Sequence, residues 1–261
     1  MRSRPLQDIL QEAKRLGKHG VKEVVLTGIH VSSYGKDLQQ VSFIDVLEGL
    51  QQIEEIHRIR LGSLEPSLLT KEFCKRASVL DKLCPHFHVS LQSGSTSVLR
   101  RMHRKYTAEE YAGYIANLRE VFINPAITTD IIAGFQGETE QEHQETLHFL
   151  RQIGFAKLHV FPYSKREGTL AARMPGDLPG DVKKKRTAEI IALGEEMALA
   201  YMQSLVGSRH EILLEQEVRP GICEGYIERY IHAEVQGTPG EIVPVEVCGI
   251  EDGNMCCHVV Y

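Results

Sequence analysis

Apolar positions recur at helical spacing from the start of the chain. Leu6, Ile9, Leu10, Ala13 and Leu16 follow Arg4-Pro5, and Gly17 and Gly20 close the segment, a pattern that predicts an amphipathic helix. The period then shortens, and residues 23–29 (EVVLTGI) read as a buried strand. The alternation continues with a helix on Phe43, Val46, Leu47 and Leu50, a strand over 57–61, a helix over 68–77 and a strand over 87–91. Helices over 97–102 and 108–121, a strand over 127–133, a helix over 139–153 and a strand over 156–161 complete the series. Strands separated by helices predict an α/β fold with a parallel sheet of right-handed crossovers.

Polar and glycine-rich residues cluster just after these strands: Thr27-Gly28, Ser32 to Gly35, Gly62-Ser63, Gln92 to Ser95, Gly134 with Gly137, and Tyr163-Ser164. Any one such loop can be a plain turn. Several at the carboxyl ends of parallel strands outline one ligand site, because that is where α/β folds and barrels bind.

The pattern changes after Ser164. Pro175, Gly176, Pro179 and Gly180 suggest a surface connection, with Asp181 as the cap of a helix over 182–205. Short alternating strands follow over 211–214, 225–235, 242–247 and 255–260, with Gly237 to Gly240 and Asp252-Gly253 as turns. The organisation expected is an α/β unit over 1–206 and a small all-β barrel over 207–261.

Composition narrows the class. With 261 residues, 42% hydrophobic and 25% charged, the chain can build a sizeable core, which excludes a disordered chain and a disulfide-built miniprotein. No apolar run reaches the ~18 residues of a membrane helix and no signal-peptide core opens the sequence, so a cytoplasmic protein without a membrane partner is expected. Cysteines at 74, 84, 223, 248, 256 and 257 form no CxxC pair. They are expected to be buried free thiols, with no metal site among them.

Read in order, the loops resemble one family. LTGIHVSSYGKD (26–37), LGSLEP (61–66), HVSLQSGSTSVLRRMHRKYT (88–107), TTDIIAGFQGETE (128–140) and LHVFPYSKREGTLAARM (158–174) are similar to the radical S-adenosylmethionine methylthiotransferases. The final barrel resembles that family's TRAM domain. His30, and FPYSKREGT in place of a YSPRPGT-like sequence, resemble the branch acting on threonylcarbamoyladenosine of tRNA, next to the anticodon. The isopentenyladenosine branch and a non-catalytic tRNA-binding fragment stand as alternatives. One departure is Gln136, where the family usually has a turn-stiffening proline.

The resemblance implies a partial (βα) barrel of radical SAM type and two cofactors, S-adenosylmethionine and a [4Fe–4S] cluster. The family holds the cluster in a CxxxCxxC loop after its first strand, just before a segment like Arg2-Ser3-Arg4-Pro5, and carries three further cysteines in an N-terminal domain. That loop, the first strand and that domain are expected to be missing here, and the chain alone to be inactive. By resemblance, the backbone at Thr27 and Gly28 meets the methionyl amine, with His30 either beside it or satisfied by its neighbours. Glu65, Ser90 and Gln92 hold ribose hydroxyls or the methionyl carboxylate. Asp130, Ile132 and Phe161 border the adenine, Ile132 alternatively serving the core.

The implied RNA partner is an anticodon stem-loop; the sulfur donor is not implied. From 207 to 261 the chain has three arginines, no lysine and ten acidic residues, which argues against the barrel as the main phosphate clamp. Arg100, Arg101, Arg104 and Lys105 are the better candidates for phosphate, whereas the run from Lys183 to Arg186 suits a solvated helix face.

Overall fold

The structure, a computed structural model, describes residues 2–28, 30–38 and 41–260. Ile29, part of the expected first strand and of the LTGIH motif, lies outside the described residues. Helix α1 (Leu6–Lys18) precedes β1 (Glu23–Leu26), α2 (Phe43–Gln51), β2 (Arg58–Leu61), α3 (Lys71–Ala77), β3 (His86–His88), α4 (Thr96–Arg101) and α5 (Ala108–Val121). Then come β4 (Ala126–Ala133), α6 (Glu140–Ile153), β5 (Lys157–Pro162) and the long α7 (Gly180–Gln203). Local chemistry fixes several starts: Ser42 with Asp45, Thr107 with Glu110 and Thr139 with Glu142 form capping boxes on α2, α5 and α6.

β1 pairs parallel with β2, and β3, β4 and β5 pair parallel in that order. Bridges Ile59 to Leu83 and Leu64 to Val89 join β2 to β3, so the strands run in sequence order as a partial (βα) barrel. Among the described residues β1 and β5 each pair on one side only. Alternation sorts the side chains. Ile59, Phe87, Ile127 and Ile131 lie in the buried core with Leu47, Leu50, Tyr111 and Leu150 of the helices. Val25, Arg60, His86, His88, Thr128, Asp130 and His159 share the opposite face and line one cavity.

Five antiparallel strands follow: β6 (Arg209–Arg219), β7 (Ile222–Ile227), β8 (His232–Gln236), β9 (Ile242–Glu251) and β10 (Asn254–Val259). Their order is β10-β9-β6-β7-β8, and β8 lies beside β10, so the barrel is nearly closed, as expected of a TRAM-like unit. Its own core of Ile212, Leu214, Cys223, Ile227, Val235, Val245, Val247 and Met255 is separate from that of the sheet. Arg58 and Arg60 join the two parts, donating to the carbonyls of Glu211 and Tyr226 and of Ile227 and Glu228 respectively.

Some expectations need correction. The strand expected over 225–235 is two strands, broken where Tyr230 takes φ 61° in the turn between β7 and β8. Asp181 lies inside the first turn of α7, where the N-cap position belongs to Pro179. The stretch 87–91 holds strand structure only to His88, then continues through isolated bridges. Only Cys74, Cys84 and Cys223 are buried; Cys248 is exposed, and Cys256 and Cys257 are half-buried.

Candidate active site

Backbone hydrogen bonds stitch the carboxyl ends of the parallel strands into one rim. Gly62 N–H donates to Leu26 O (2.8 Å), Leu64 N–H to His88 O (2.8 Å) and Ser90 N–H to Leu64 O (3.0 Å). Gln92 N–H donates to Asp130 O (2.9 Å), Ile132 N–H to Gln92 O (2.9 Å) and Tyr163 N–H to Ala133 O (2.8 Å). Gly62 lies against the neighbouring loop, where a Cβ would come within 3.3 Å of Thr27 Cγ2.

The rim brings Gln92, Asp130, Ile132 and Phe161 into the wall of one cavity of 690 Å³, together with Arg104, Phe135, Tyr163, Arg166 and Met174. Asp130 and Phe161 also line a second cavity of 1020 Å³ between the sheet and the antiparallel barrel. Thr27, Gly28, His30, Glu65 and Ser90 lie outside both walls. His30 Nδ1 is 3.4 Å from Glu65 Oε1. Gln92 adopts φ 78°, a conformation that costs a non-glycine residue about 1–3 kcal/mol and recurs at ligand sites.

The loop carrying Gln92 is held from two sides. Tyr106 donates its hydroxyl to Ser90 O (2.8 Å), while Gly94 N–H and Ser95 Oγ reach Thr146 Oγ1 (3.2 Å) and Glu145 (2.6 Å) on α6. Arg101 forks onto Glu142 of the same helix at 2.7 and 2.8 Å. These bonds to Arg101, then those to Ser97 and Thr139, hold the Glu142 carboxyl at about 2 against its desolvation. Of the four cations expected to meet phosphate, Arg101 is thus bound to a carboxylate. Arg100 and Lys105 are exposed, and Arg104 is half-buried in the cavity wall. Gln136 is buried, and neither atom of its amide has a partner among the described residues.

Sequence reasoning missed the histidines and arginines behind the rim. His88 donates toward Asp130 across 3.4 Å, and this bond holds the Asp130 carboxyl below the usual carboxylate range. Burial, with the charges of His88 and Lys157, keeps the imidazole of His159 below its ordinary value, and burial above all takes His86 to about 3. The signal was present as alternation: R-I-R over 58–60 and H-F-H over 86–88 put every polar side chain on one face.

The cavity set of Gln92, Asp130, Ile132 and Phe161 fits a nucleoside such as that of S-adenosylmethionine. It offers an anionic acceptor and an amide for hydroxyls and apolar edges for a flat base. The cysteines do not fit an iron–sulfur cluster. Cys74 sits in α3, Cys84 before β3, Cys223 in β7 and the others on the β9–β10 hairpin. Among the described residues no three His, Cys, Asp or Glu side chains form a metal site.

Comparison with known proteins gives the family. Residues 1–150 match the Radical SAM superfamily. The chain is 38% identical over 255 residues to the threonylcarbamoyladenosine tRNA methylthiotransferase MtaB of Bacillus subtilis, covering 95% of this chain and 56% of that protein. It is 44% identical over 226 residues to the tRNA-2-methylthio-N(6)-dimethylallyladenosine synthase of Caldicellulosiruptor saccharolyticus, covering 86% and 48%. The chain therefore spans about half the length of the curated relatives it matches. Among solved structures, coproporphyrinogen III oxidase (HemN) from Escherichia coli shares the fold, with a TM-score of 0.56 at 16% identity over 88% of this chain and 60% of that one. With a family match over more than half of its length and a parallel strand order of the same kind, this chain belongs to the radical SAM superfamily.

Proposed function

We propose that this chain is the S-adenosylmethionine-binding part and the TRAM barrel of a tRNA methylthiotransferase whose substrate is threonylcarbamoyladenosine next to the anticodon. The observation that carries this reading is the gathering of Gln92, Asp130, Ile132 and Phe161 into one nucleoside-sized cavity, within a sequence 38% identical to a protein named for that activity. The boundary between the two parts falls near residue 206, between the end of α7 at Gln203 and the start of β6 at Arg209.

In this reading Asp130 and Gln92 hold ribose hydroxyls, Ile132 and Phe161 flank the adenine, and Glu65 and Ser90 complete the grip on ribose or methionyl carboxylate. Thr27 and Gly28 offer backbone groups to the methionyl amine, with His30 beside them. When bound, S-adenosylmethionine supplies the radical chemistry that activates the nucleoside; the residues named here bind and orient it and exclude water. The exposed Arg100 and Lys105, with Arg104 in the cavity wall, steer tRNA phosphates, while Arg101 props the loop through Glu142. Such an enzyme works in the cytosol, where tRNA is, and no helix among the described residues is long and apolar enough to cross a membrane.

Mass spectrometry of tRNA nucleosides from cells lacking the gene for this chain tests the reading. Loss of the methylthio group from threonylcarbamoyladenosine is the expected result. Loss only from the dimethylallyl nucleoside would move the protein to the branch of its 44% identical relative, and an unchanged nucleoside profile would overturn the reaction.

A further inference from the structure

The cysteines take no part in the site above, and three of them lie on one hairpin. Val247 faces Cys257 across β9 and β10, and Gly249 faces Cys256, so Cys248 is an extra residue between two pairs. Such a bulge leaves the inserted residue out of the ladder and re-aims its side chain. Val247 and Met255 are buried, and Cys257 packs against the same barrel core, so these three side chains point inward. Alternation then turns Cys256 outward, and Cys248 is exposed on that same outer surface. Gly249, which faces Cys256, has no side chain to stand between the two thiols.

The Cys248 thiol donates to Cys256 O across 3.2 Å, so its sulfur already lies against the main chain of the facing cysteine. The Cys256 thiol is turned toward Asn254 O at 3.9 Å, a weak contact that rotation about its Cα–Cβ bond gives up. Opposed residues of an antiparallel pair stand about 4.5–5.5 Å apart between Cα atoms, and the two residues of a bulge share one facing neighbour. Cys248 and Cys256 therefore come within the about 4.4–6.8 Å that a disulfide spans. We infer that Cys248 and Cys256 form a reversible disulfide across this bulge when the chain meets a hydroperoxide. The exposed Cys248 thiolate attacks one peroxide oxygen and keeps it as a sulfenic acid, while the O–O bond breaks and the other oxygen is protonated to water. The Cys256 thiolate then attacks that sulfur, the S–O bond breaks, and the hydroxide leaves as a second water. Two thiols are oxidised to one disulfide, one peroxide is reduced to two waters, and the thiol protons end in the water. The bond ties the hairpin whose tip, Gly253 to Met255, lines the 1020 Å³ cavity, and fixes the bend that the bulge gives it. This inference is independent of the tRNA reading.

The test uses the full chain, reduced and freed of reductant, then treated with hydrogen peroxide beside a metal chelator and blocked with N-ethylmaleimide under denaturing conditions. Cleavage after Glu251 parts Cys248 from Cys256 and Cys257, so mass spectrometry without reduction reads the bond directly. The expected product is a linked pair of peptides, two hydrogen masses lighter than their sum. The oxidised chain should take up two fewer maleimides and regain them after dithiothreitol. The bond should form in Cys257→Ser and be lost in Cys256→Ser and in Cys248→Ser. Deuterium exchange of the hairpin amides should be slower in the oxidised chain than in the reduced one, and unchanged exchange in a linked chain overturns the tying of the hairpin. Linking of Cys256→Ser at the parent's level assigns the partner to Cys257 and overturns the inference. So does sulfenic or sulfinic acid at Cys248 without a link, or a dimer joined through Cys248.

Discussion

Arg60 holds its guanidinium 4.7 Å from the ring centroid of Tyr230, so a strand of the parallel sheet grips a turn of the antiparallel barrel. The same guanidinium forks onto Glu23 at 2.7 and 3.1 Å, and both side chains are almost fully buried, at 4% and 14% exposure. Glu23 also lies 3.6 Å from the buried Arg58, so one carboxylate answers two guanidinium groups, and removing it strands both, at a cost of about 3–5 kcal/mol. Glu23→Gln should therefore destabilise the chain by about that amount in urea denaturation, and expose residues 204–208 between the two parts to limited proteolysis. Arg60→Met, which leaves Glu23 its contact with Arg58, should cost less. A single variant as stable as the parent would remove the clamp from the account.

His86 also meets Tyr230, its ring tilted by 34° at 5.0 Å between centroids, with Nδ1 buried and unpartnered among the described residues. Desolvation, helped by the charge of Arg60, takes its pKa from 6.5 to about 3. The folded state thus stays neutral where the unfolded chain takes up a proton. Stability is full above about pH 6.5 and is lost as pH falls toward 3, approaching about 4–5 kcal/mol from this group. Asp130, with its folded value lowered by His88, contributes in the same direction at the acid end. Urea midpoints measured from pH 7 to pH 4 should fall steadily in the parent chain and more gently in His86→Phe. Identical slopes would show that His86 titrates freely.

These groups explain what the sequence hid and what it displayed. Helix α5 was legible to the residue, because Thr107 and Glu110 cap it and Tyr111, Ile115 and Leu118 repeat on its buried side. The rim loops were legible because glycine and serine collect where strands end. The polar face of the sheet was not, since Arg58, Arg60, His86 and His88 read as strand residues without a sign of which side holds water, ligand or a second unit. Arg101 looked like a phosphate contact for the same reason: Glu142 is 41 residues away in the chain, and only the fold brings them together. Tyr230 broke a strand that alternation alone would have continued, because its left-handed conformation answers to the packing of Tyr226, 4.7 Å away.

The thiols offer a check on the cofactor assignment. Cys248 is exposed, and the register of β9 with β10 passes over it, pairing Val247 with Cys257 and Gly249 with Cys256. Burial pushes the Cys257 and Cys84 thiols up to about 12 and that of Cys74 to about 11, and the thiolate is the reactive form. Iodoacetamide near neutral pH should therefore label Cys248 first, and Cys74, Cys84 and Cys223 only on unfolding. Anaerobic incubation with iron and sulfide should give no stoichiometric cluster. Absorbance and iron content corresponding to one [4Fe–4S] centre per chain would refute the reading of these cysteines.

Gly94, in the loop after Gln92, lies against the backbone of α6 at Thr146. A Cβ there would sit 2.8 Å from Thr146 Cα and 2.9 Å from Phe149 Cβ, neither of which can turn aside as a flexible side-chain end would. Gly94→Ala must push the loop away from α6, stretching the bonds from Gly94 N–H to Thr146 and from Ser95 to Glu145. Overpacking of this kind costs about 1–3 kcal/mol. Because the same loop carries Gln92 in its left-handed conformation, the displacement should also misplace the amide that the proposed cofactor contacts. Thermal denaturation should show the loss of stability, and calorimetric titration with S-adenosylmethionine should show weaker binding than in the parent. Gly113→Ala, on an exposed helix position where an added Cβ meets nothing within 4 Å, should leave binding unchanged and raise stability by about 0.5–1 kcal/mol, because alanine suits a helix interior better than glycine. Equal behaviour of the two variants would mean that the loop is not held by this contact.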